Sequence, residues 1–284
     1  MLLSDTLRWM QDELQKRFAD QSSREAYAIL LSLERFETMS QIIIGLDHIR
    51  LDDHEIALLK NWLKRRLDGE PLAYIRGYEY HYGRKFQVDK NVLIPRPETE
   101  LITQRCLQIH GGSTTSNLKC LDIGTGSGIL SVSLKLDLAD SVWTATDISH
   151  ECLKIAKKNS QLLNADVKFI QSYCARGLKG SFDIIVSNPP YIPFGDPLVQ
   201  REVEEYEPHL ALYAEENGLS LIYEILDSTI ELLSHNGVGL MEIGHNQKDE
   251  VETKLSKFDN IKTFWIYDFA NIPRILEIKK NAIL

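Results

Sequence analysis

From residue 118 onward the chain repeats one unit, a short apolar run followed by a turn and an amphipathic stretch. Strand candidates fall at 118–123, 142–146, 167–170, 182–187, 237–243, 262–267 and 274–279. Helical periodicity fills most of the intervals, for example 149–163 and 219–234. Such alternation predicts an open, mostly parallel α/β sheet with helices on both faces. Ligands of these sheets bind beyond the carboxyl ends of the strands, so the residues that close each apolar run are the ones to inspect.

The run at 118–123 closes on Asp122-Ile123-Gly124-Thr125-Gly126-Ser127-Gly128. Glycines between strand and helix permit positive φ and let a ligand approach the backbone closely. The spacing is G-x-G-x-G, and no Gly-Lys-Ser/Thr follows, which excludes a Walker loop. Dinucleotide enzymes use a similar turn, and a plain tight turn also fits. Asp147 ends the next run, 23 residues after Gly124. A carboxylate there can accept from both hydroxyls of a ribose. The bland alternative is a cap for the helix that opens at Asp147-Ile148-Ser149, but Ser149 can cap instead, which frees Asp147 for a ligand. Asp122 is open between water-mediated contact with a ligand's amino-acid end and bonding to backbone N–H groups.

The run at 182–187 closes on Asn188-Pro189-Pro190-Tyr191. An amide or exocyclic amine nitrogen is a poor nucleophile because its lone pair is delocalised. Two acceptors aimed at its N–H groups hold it and return electron density. The Asn188 side-chain oxygen and the Pro189 carbonyl are such a pair. Both residues precede a proline and are biased to extended backbone, which stiffens the pair before a substrate arrives. Tyr191 offers a ring for the flat face of the acceptor group. The bland alternative is a rigid Pro-Pro loop. Together with the glycine turn, the pattern points to methyl transfer onto a planar nitrogen, with no metal required.

Net charge is −9, which argues against duplex nucleic acid as a partner. Cys106, Cys120, Cys152 and Cys174 lack C-x-x-C spacing and read as reduced thiols of a cytoplasmic protein. The eight histidines form no metal-binding spacing. No early segment has a signal-peptide layout and no apolar run approaches membrane-spanning length, so no membrane association is expected. Glu202, Glu204, Glu205 and Glu207 read as a solvated acidic face.

Residues 1–70 carry helical periodicity throughout, with Leu7, Met10, Leu14 and Phe18 on one face behind Ser4. Ser23 and Asp53 are candidate caps for later helices, 42–46 is ambiguous, and Gly69-Glu70-Pro71 stops the last one. Alternation of aromatic and polar residues over 72–88 predicts a β-hairpin linker. The expected organisation is a helical domain at 1–70, a linker at 71–92 and a catalytic domain at 93–284. Pro97, Glu98 and Glu100 suit a helix start, with a cofactor-covering role equally open. A polar loop is expected over 111–117.

At these residues the chain resembles the HemK/PrmC family of protein-(glutamine-N5) methyltransferases, specifically the peptide chain release factor enzymes. The likeness runs through Gly69-Glu70-Pro71-Leu72-Ala73-Tyr74, Leu93 to Glu100, Asp122 to Gly128, Asp147, Ser187 to Ile192 and Tyr206-Glu207-Pro208. It implies a class I, Rossmann-like fold with a seven-stranded sheet, and S-adenosylmethionine as donor. Gly124, Thr125, Gly126, Ser127 and Gly128 would wrap the methionine part, Asp147 the ribose, and Asn188 would border both ligands. Asn188, Pro189, Pro190 and Tyr191 would hold the glutamine of a Gly-Gly-Gln loop in class I release factors. The helical domain would dock the release factor, with the enzyme a monomer. At Gln171-Ser172-Tyr173-Cys174 the chain departs from the family's acidic-then-bulky pair, so no adenine contact carries over, although Tyr173 has a ring to stack. Residues 267–271 fit the family's ending loosely.

Rival readings stay open at this level. A ribosomal protein glutamine is one alternative substrate. A DNA or RNA adenine is another, although no basic recognition region is visible. A non-catalytic binding module and a nicotinamide oxidoreductase complete the field, and neither needs Asn-Pro-Pro-Tyr.

Overall fold

The computed structural model describes residues 1–111 and 117–280; the polar loop expected over 111–117 lies, apart from its two ends, outside the described residues. Contacts divide the chain into two compact units, Met1–Gly77 and Tyr78–Leu284.

The first unit is built of α1 Leu3–Phe18, α2 Ser22–Leu31, α3 Met39–Gly45, α4 Asp53–Asp68 and α5 Leu72–Arg76. Leu3, Leu7, Met10 and Leu14 recur every three or four residues along α1 and join Ile29, Leu30, Leu59 and Leu63 in one core. The expected caps shift. Ser4 does not cap α1, whose first N–H groups bond to carbonyls of another segment instead: Leu3 to Ile49 and Ser4 to Leu46. Ser23 lies inside α2, which follows a 3-10 turn at Ala19–Gln21 and has no side-chain cap. Asp52, not Asp53, caps α4. Its carboxylate accepts from the Glu55 N–H at 2.8 Å while Glu55 accepts from the Asp52 N–H at 2.8 Å, a reciprocal capping box. Gly69 ends α4 at φ 106°, where L side chains are strained. The ambiguous run at 42–46 falls largely in α3.

The second unit opens with the hairpin β1 Tyr78–His81 and β2 Arg84–Gln87. The strand pattern expected over 72–88 is therefore right only from 78, since Leu72–Arg76 is helical. Next come α6 Glu100–His110, β3 Lys119–Ile123, α7 Ile129–Asp137, β4 Val142–Asp147, α8 His150–Leu162, β5 Val167–Gln171, β6 Phe182–Ser187 and β7 Ile192–Pro193. The rest is α9 Arg201–Tyr206, α10 His209–Leu212, β8 Tyr213–Ala214, the kinked α11 Glu215–Gly218, α12 Ser220–Leu232, β9 Leu233–Glu242, α13 Lys248–Leu255, β10 Ile261–Tyr267 and β11 Pro273–Lys280.

Seven strands form one sheet in the order β10-β11-β9-β6-β3-β4-β5. Neighbours from β9 to β5 are parallel, and β11 runs antiparallel to both of its partners. Alternate residues of β3 feed opposite faces: Cys120 joins Trp143, Val186 and Leu240, whereas Leu121 and Ile123 join Ile185, Met241 and Leu276. Burial of both faces explains why the strands read as continuous apolar runs.

From β3 the chain moves outward through β4 and β5, then returns to add β6 and β9 on the other side. The strand order thus reverses between β3 and β6, where the carboxyl ends open a crevice. The register aligns Ile123 with Thr146 and with Ser187, and Ser187 with Met241. One residue further along, Asp147, Gly124, Asn188 and Glu242 form a single row across four adjacent strand ends.

Candidate active site

A cavity of about 300 Å³ opens above this row, lined by Gly124 to Ser127, Asp147, Ile148, Tyr173, Asn188, Pro189 and Pro190, and also by Leu93, Pro95 and Arg96. That is the lower end of the size range of small-molecule sites.

The glycine turn is pinned by its backbone. The Gly124 and Thr125 N–H groups both donate to the Thr146 carbonyl, at 2.9 and 2.8 Å. Gly126 has φ 54°, and a Cβ there would meet nothing within 4 Å, so its bare backbone borders open space. Gly128 serves packing instead, because its Cβ would come within 3.3 Å of the Ala156 Cα.

Asp147 holds this turn to β4. One carboxylate oxygen accepts from the Gly126 N–H and the other from the Ser149 N–H, each at 2.9 Å. Ser149 caps α8 through the Cys152 N–H, as expected. Burial raises the Asp147 carboxyl pKa, against the pull of those donors. Each of its oxygens retains a second lone pair for a ligand.

Asp122 is fully buried. Its Oδ2 accepts from the Thr125 hydroxyl at 2.6 Å and the Ser131 N–H at 3.1 Å. Its Oδ1 has no partner among the described residues. Burial pushes this carboxyl up to about 6. The backbone-binding role left open from sequence is thus present for one oxygen, while the other is a buried acceptor beneath the glycine turn.

Asn188 lines the cavity. Its Nδ2 donates to Thr99 Oγ1 at 2.9 Å, and Thr99 Oγ1 donates to Glu242 Oε2 at 2.8 Å. The Tyr191 hydroxyl donates to the other oxygen, Glu242 Oε1, at 2.9 Å. Tyr191 packs against the core cluster of Ile185 and Met241, and its ring is not part of the cavity lining. The neighbouring Glu242 charge and burial hold the Tyr191 hydroxyl well above its ordinary pKa. Pro189 and Pro190 both reach the cavity wall.

Tyr173 faces the cavity from beyond β5. Its hydroxyl donates to Glu224 at 2.7 Å, and the Arg176 guanidinium lies 4.4 Å from its ring centroid.

The expectations of a Tyr191 ring in the cavity lining and of a solvated acidic face at Glu207 both fail. Glu207 is no solvated charge: its side chain is 1% exposed and pairs with Arg96 at 2.5 Å. Its second oxygen accepts from the Ile94 N–H at 3.1 Å. The pair ties the segment after α9 to the cavity wall at Pro95 and Arg96. Runs of glutamates look solvated because charge spacing says nothing about where the chain turns inward after 206. Sequence reasoning also missed Thr99 and Glu242. A lone carboxylate inside the apolar run at 238–243 was the available signal, since burying an unpaired charge is costly.

A nucleoside-type methyl donor suits this arrangement. The open space over Gly126 and the orphaned Asp122 oxygen beneath the turn suit a polar, cationic ligand end, and Asp147 stands where a ribose would be read. Among the described residues, no group of three or more His, Cys, Asp or Glu is placed to hold a metal ion. No helix among them is long and apolar enough to cross a membrane.

Residues 5–77 match the family model "PrmC N-terminal domain", and residues 105–203 match "Methyltransferase small domain". The release factor glutamine methyltransferase of Lactococcus lactis is 41% identical over 232 residues, covering 81% of this chain and 85% of that protein. Among solved structures, a methyltransferase from Pyrococcus furiosus superposes with a TM-score of 0.53 at 18% identity, over 78% of this chain and 99% of that one. The N-terminal domain of human METTL16, solved with SAH, gives 0.51 at 15% identity, over 92% of this chain and 96% of that one. The two structures share the fold with this chain.

Proposed function

Because the chain belongs to the release factor glutamine methyltransferase family, we propose that it methylates the side-chain amide nitrogen of the Gly-Gly-Gln glutamine in class I release factors. S-adenosylmethionine is the methyl source, and its sulfonium supplies the activated methyl group. The observation that carries this reading is the Asn188 carboxamide. It stands at the strand end beside the glycine turn, with Nδ2 engaged by Thr99 and no donor among the described residues bonded to Oδ1.

Asn188 Oδ1 and the Pro189 carbonyl accept from the two N–H groups of the target amide. They fix its nitrogen and raise its electron density as the new bond forms. Tyr191 anchors the turn through Glu242. Gly124 to Ser127 wrap the amino-acid end of the donor and Asp147 holds its ribose, while Pro95 and Arg96, which also line the cavity, cover the ligands. No side-chain nucleophile is needed, and positioning supplies most of the acceleration. The first seventy-odd residues dock the release factor body, and the enzyme works as a cytoplasmic monomer without touching nucleic acid.

The test is direct. Incubation with donor and release factor, followed by mass spectrometry of the Gly-Gly-Gln peptide, should show one added methyl on the glutamine. An unmodified glutamine under saturating donor rules this substrate out, and methylation of intact ribosomes instead would move the substrate to a ribosomal protein.

A further inference from the structure

We propose that Glu242, acting through Thr99, dictates which end of the Asn188 carboxamide meets the substrate. The inference deepens the function proposed above and rests on it. The oxygen and nitrogen of a carboxamide are nearly the same size, and nothing in their shape selects one over the other. The choice decides catalysis: an oxygen turned to the cavity accepts from the incoming amide, whereas an NH₂ group would oppose it.

The selection comes from proton counting along the chain of contacts. An ionised carboxylate only accepts. Thr99 has one hydroxyl proton, given to Glu242 Oε2 at 2.8 Å. The Thr99 oxygen is then left as an acceptor, so only the Nδ2 end of Asn188 suits it, at 2.9 Å. Oδ1 is turned away from Thr99. The Tyr191 hydroxyl, at 2.9 Å, donates to the remaining Glu242 oxygen, so both carboxylate oxygens are engaged by hydroxyl donors. Protonation of Glu242 removes the constraint. Its O–H can then donate to Thr99, which can donate to Asn188 Oδ1 and turn the NH₂ toward the substrate.

The placement supports a dedicated role. Thr99 and Glu242 are 0% and 1% exposed. Among the described residues, no cation forms an ion pair with Glu242. Arg274 of β11 favours its charge from a distance but is itself bonded to Asp268 at 3.0 Å, and Glu98, one residue before Thr99, opposes it. Burial holds this carboxyl up at about 6. A buried charge with only hydroxyl partners costs stability, and a polarity lock gives it a reason to be there. Thr99 and Glu242 are positioning residues, since neither lines the cavity.

The experiment compares wild type, Thr99→Ser, Thr99→Val and Glu242→Gln between pH 5 and 9. It reads kcat and KM on release factor, donor affinity by calorimetry, and the ¹⁵N-resolved side-chain NH₂ signals of Asn188. Thr99→Ser keeps the hydroxyl and should retain kcat within about threefold, whereas Thr99→Val should lose about 10- to 100-fold in kcat. Donor affinity should change little in both. Wild type should show an acid limb near pH 6, with the Asn188 NH₂ signals shifting over the same range, and both should vanish in Glu242→Gln. Equal activity of the serine and valine variants overturns the inference, as do Asn188 signals that ignore pH in wild type. The signals need neither substrate nor a variant, so a wild type inert on release factor refutes the function while the titration still decides the relay.

Discussion

Asp122→Asn isolates the energetics of the buried carboxylate under the glycine turn. The carboxyl titrates at about 6 in the fold and near its ordinary 3.8 in the unfolded chain. A gap of roughly two pH units is worth about 3 kcal/mol. The sign follows from proton binding. Between these values the folded state holds the proton and the unfolded state has released it, so stability falls as pH rises through the window. The cost is absent below about pH 4 and complete above about pH 6. Asparagine has the same shape and no such cost. Its oxygen can still accept from Thr125 and Ser131, and its NH₂ lies where Oδ1 already lacks a partner. Packing differences between the two side chains are the same at every pH and cancel. Relief of repulsion with Asp147 acts in the same direction. Urea unfolding at intervals between pH 4 and 8 should therefore show the stability difference, variant minus wild type, rising by about 3 kcal/mol. Tryptophan fluorescence is a suitable probe, because Trp143 of β4 is buried in the same sheet. A difference constant within about 0.5 kcal/mol across that range would refute the reasoning.

Further outcomes test the site and its supports. Asn188→Ala should lower kcat about 10²- to 10³-fold, as for loss of one preorganised polar group, with donor affinity by calorimetry little changed; near-normal turnover would remove Asn188 from the mechanism. Gly218→Ala should destabilise by roughly 2–4 kcal/mol and slow turnover, because Gly218 has φ 84° and a Cβ there would overlap the Tyr191 carbonyl, 2.7 Å from its carbon. Thermal unfolding and the methylation assay read both effects. Arg96→Ala should cost about 2 kcal/mol in urea unfolding by leaving Glu207 buried without its cation, the figure being discounted for the partial exposure of Arg96.

The parts of the site that sequence disclosed are those built from consecutive residues. The glycine turn, Asp147 and Asn188-Pro189-Pro190-Tyr191 each announce themselves because backbone demands and side-chain chemistry fall within a few positions. Boundaries were less visible. Asp52 and Asp53 offer the same cap chemistry, and only the backbone angles at the entry to α4 choose between them. Residues 72–76, expected as part of the hairpin, form a helix instead, since Pro71 suits a helix start and Gly77 adopts a left-handed φ that ends one. Glu207 reads as surface because nothing adjacent to it predicts Arg96.

Sequence alone determined the alternating architecture, the carboxyl-edge placement of the glycine and Asn-Pro-Pro-Tyr turns, and the chemistry each can perform. These follow from hydrophobic period and local backbone preference, which act over a few residues. Tertiary structure alone decided how Asn188 is aimed. Thr99 and Glu242 lie 143 residues apart and meet only because the strand order sets β9 beside β6 and the turn before α6 reaches the end of β9. Hydrogen-bond direction is a property of that assembled network, and no stretch of the chain encodes it by itself.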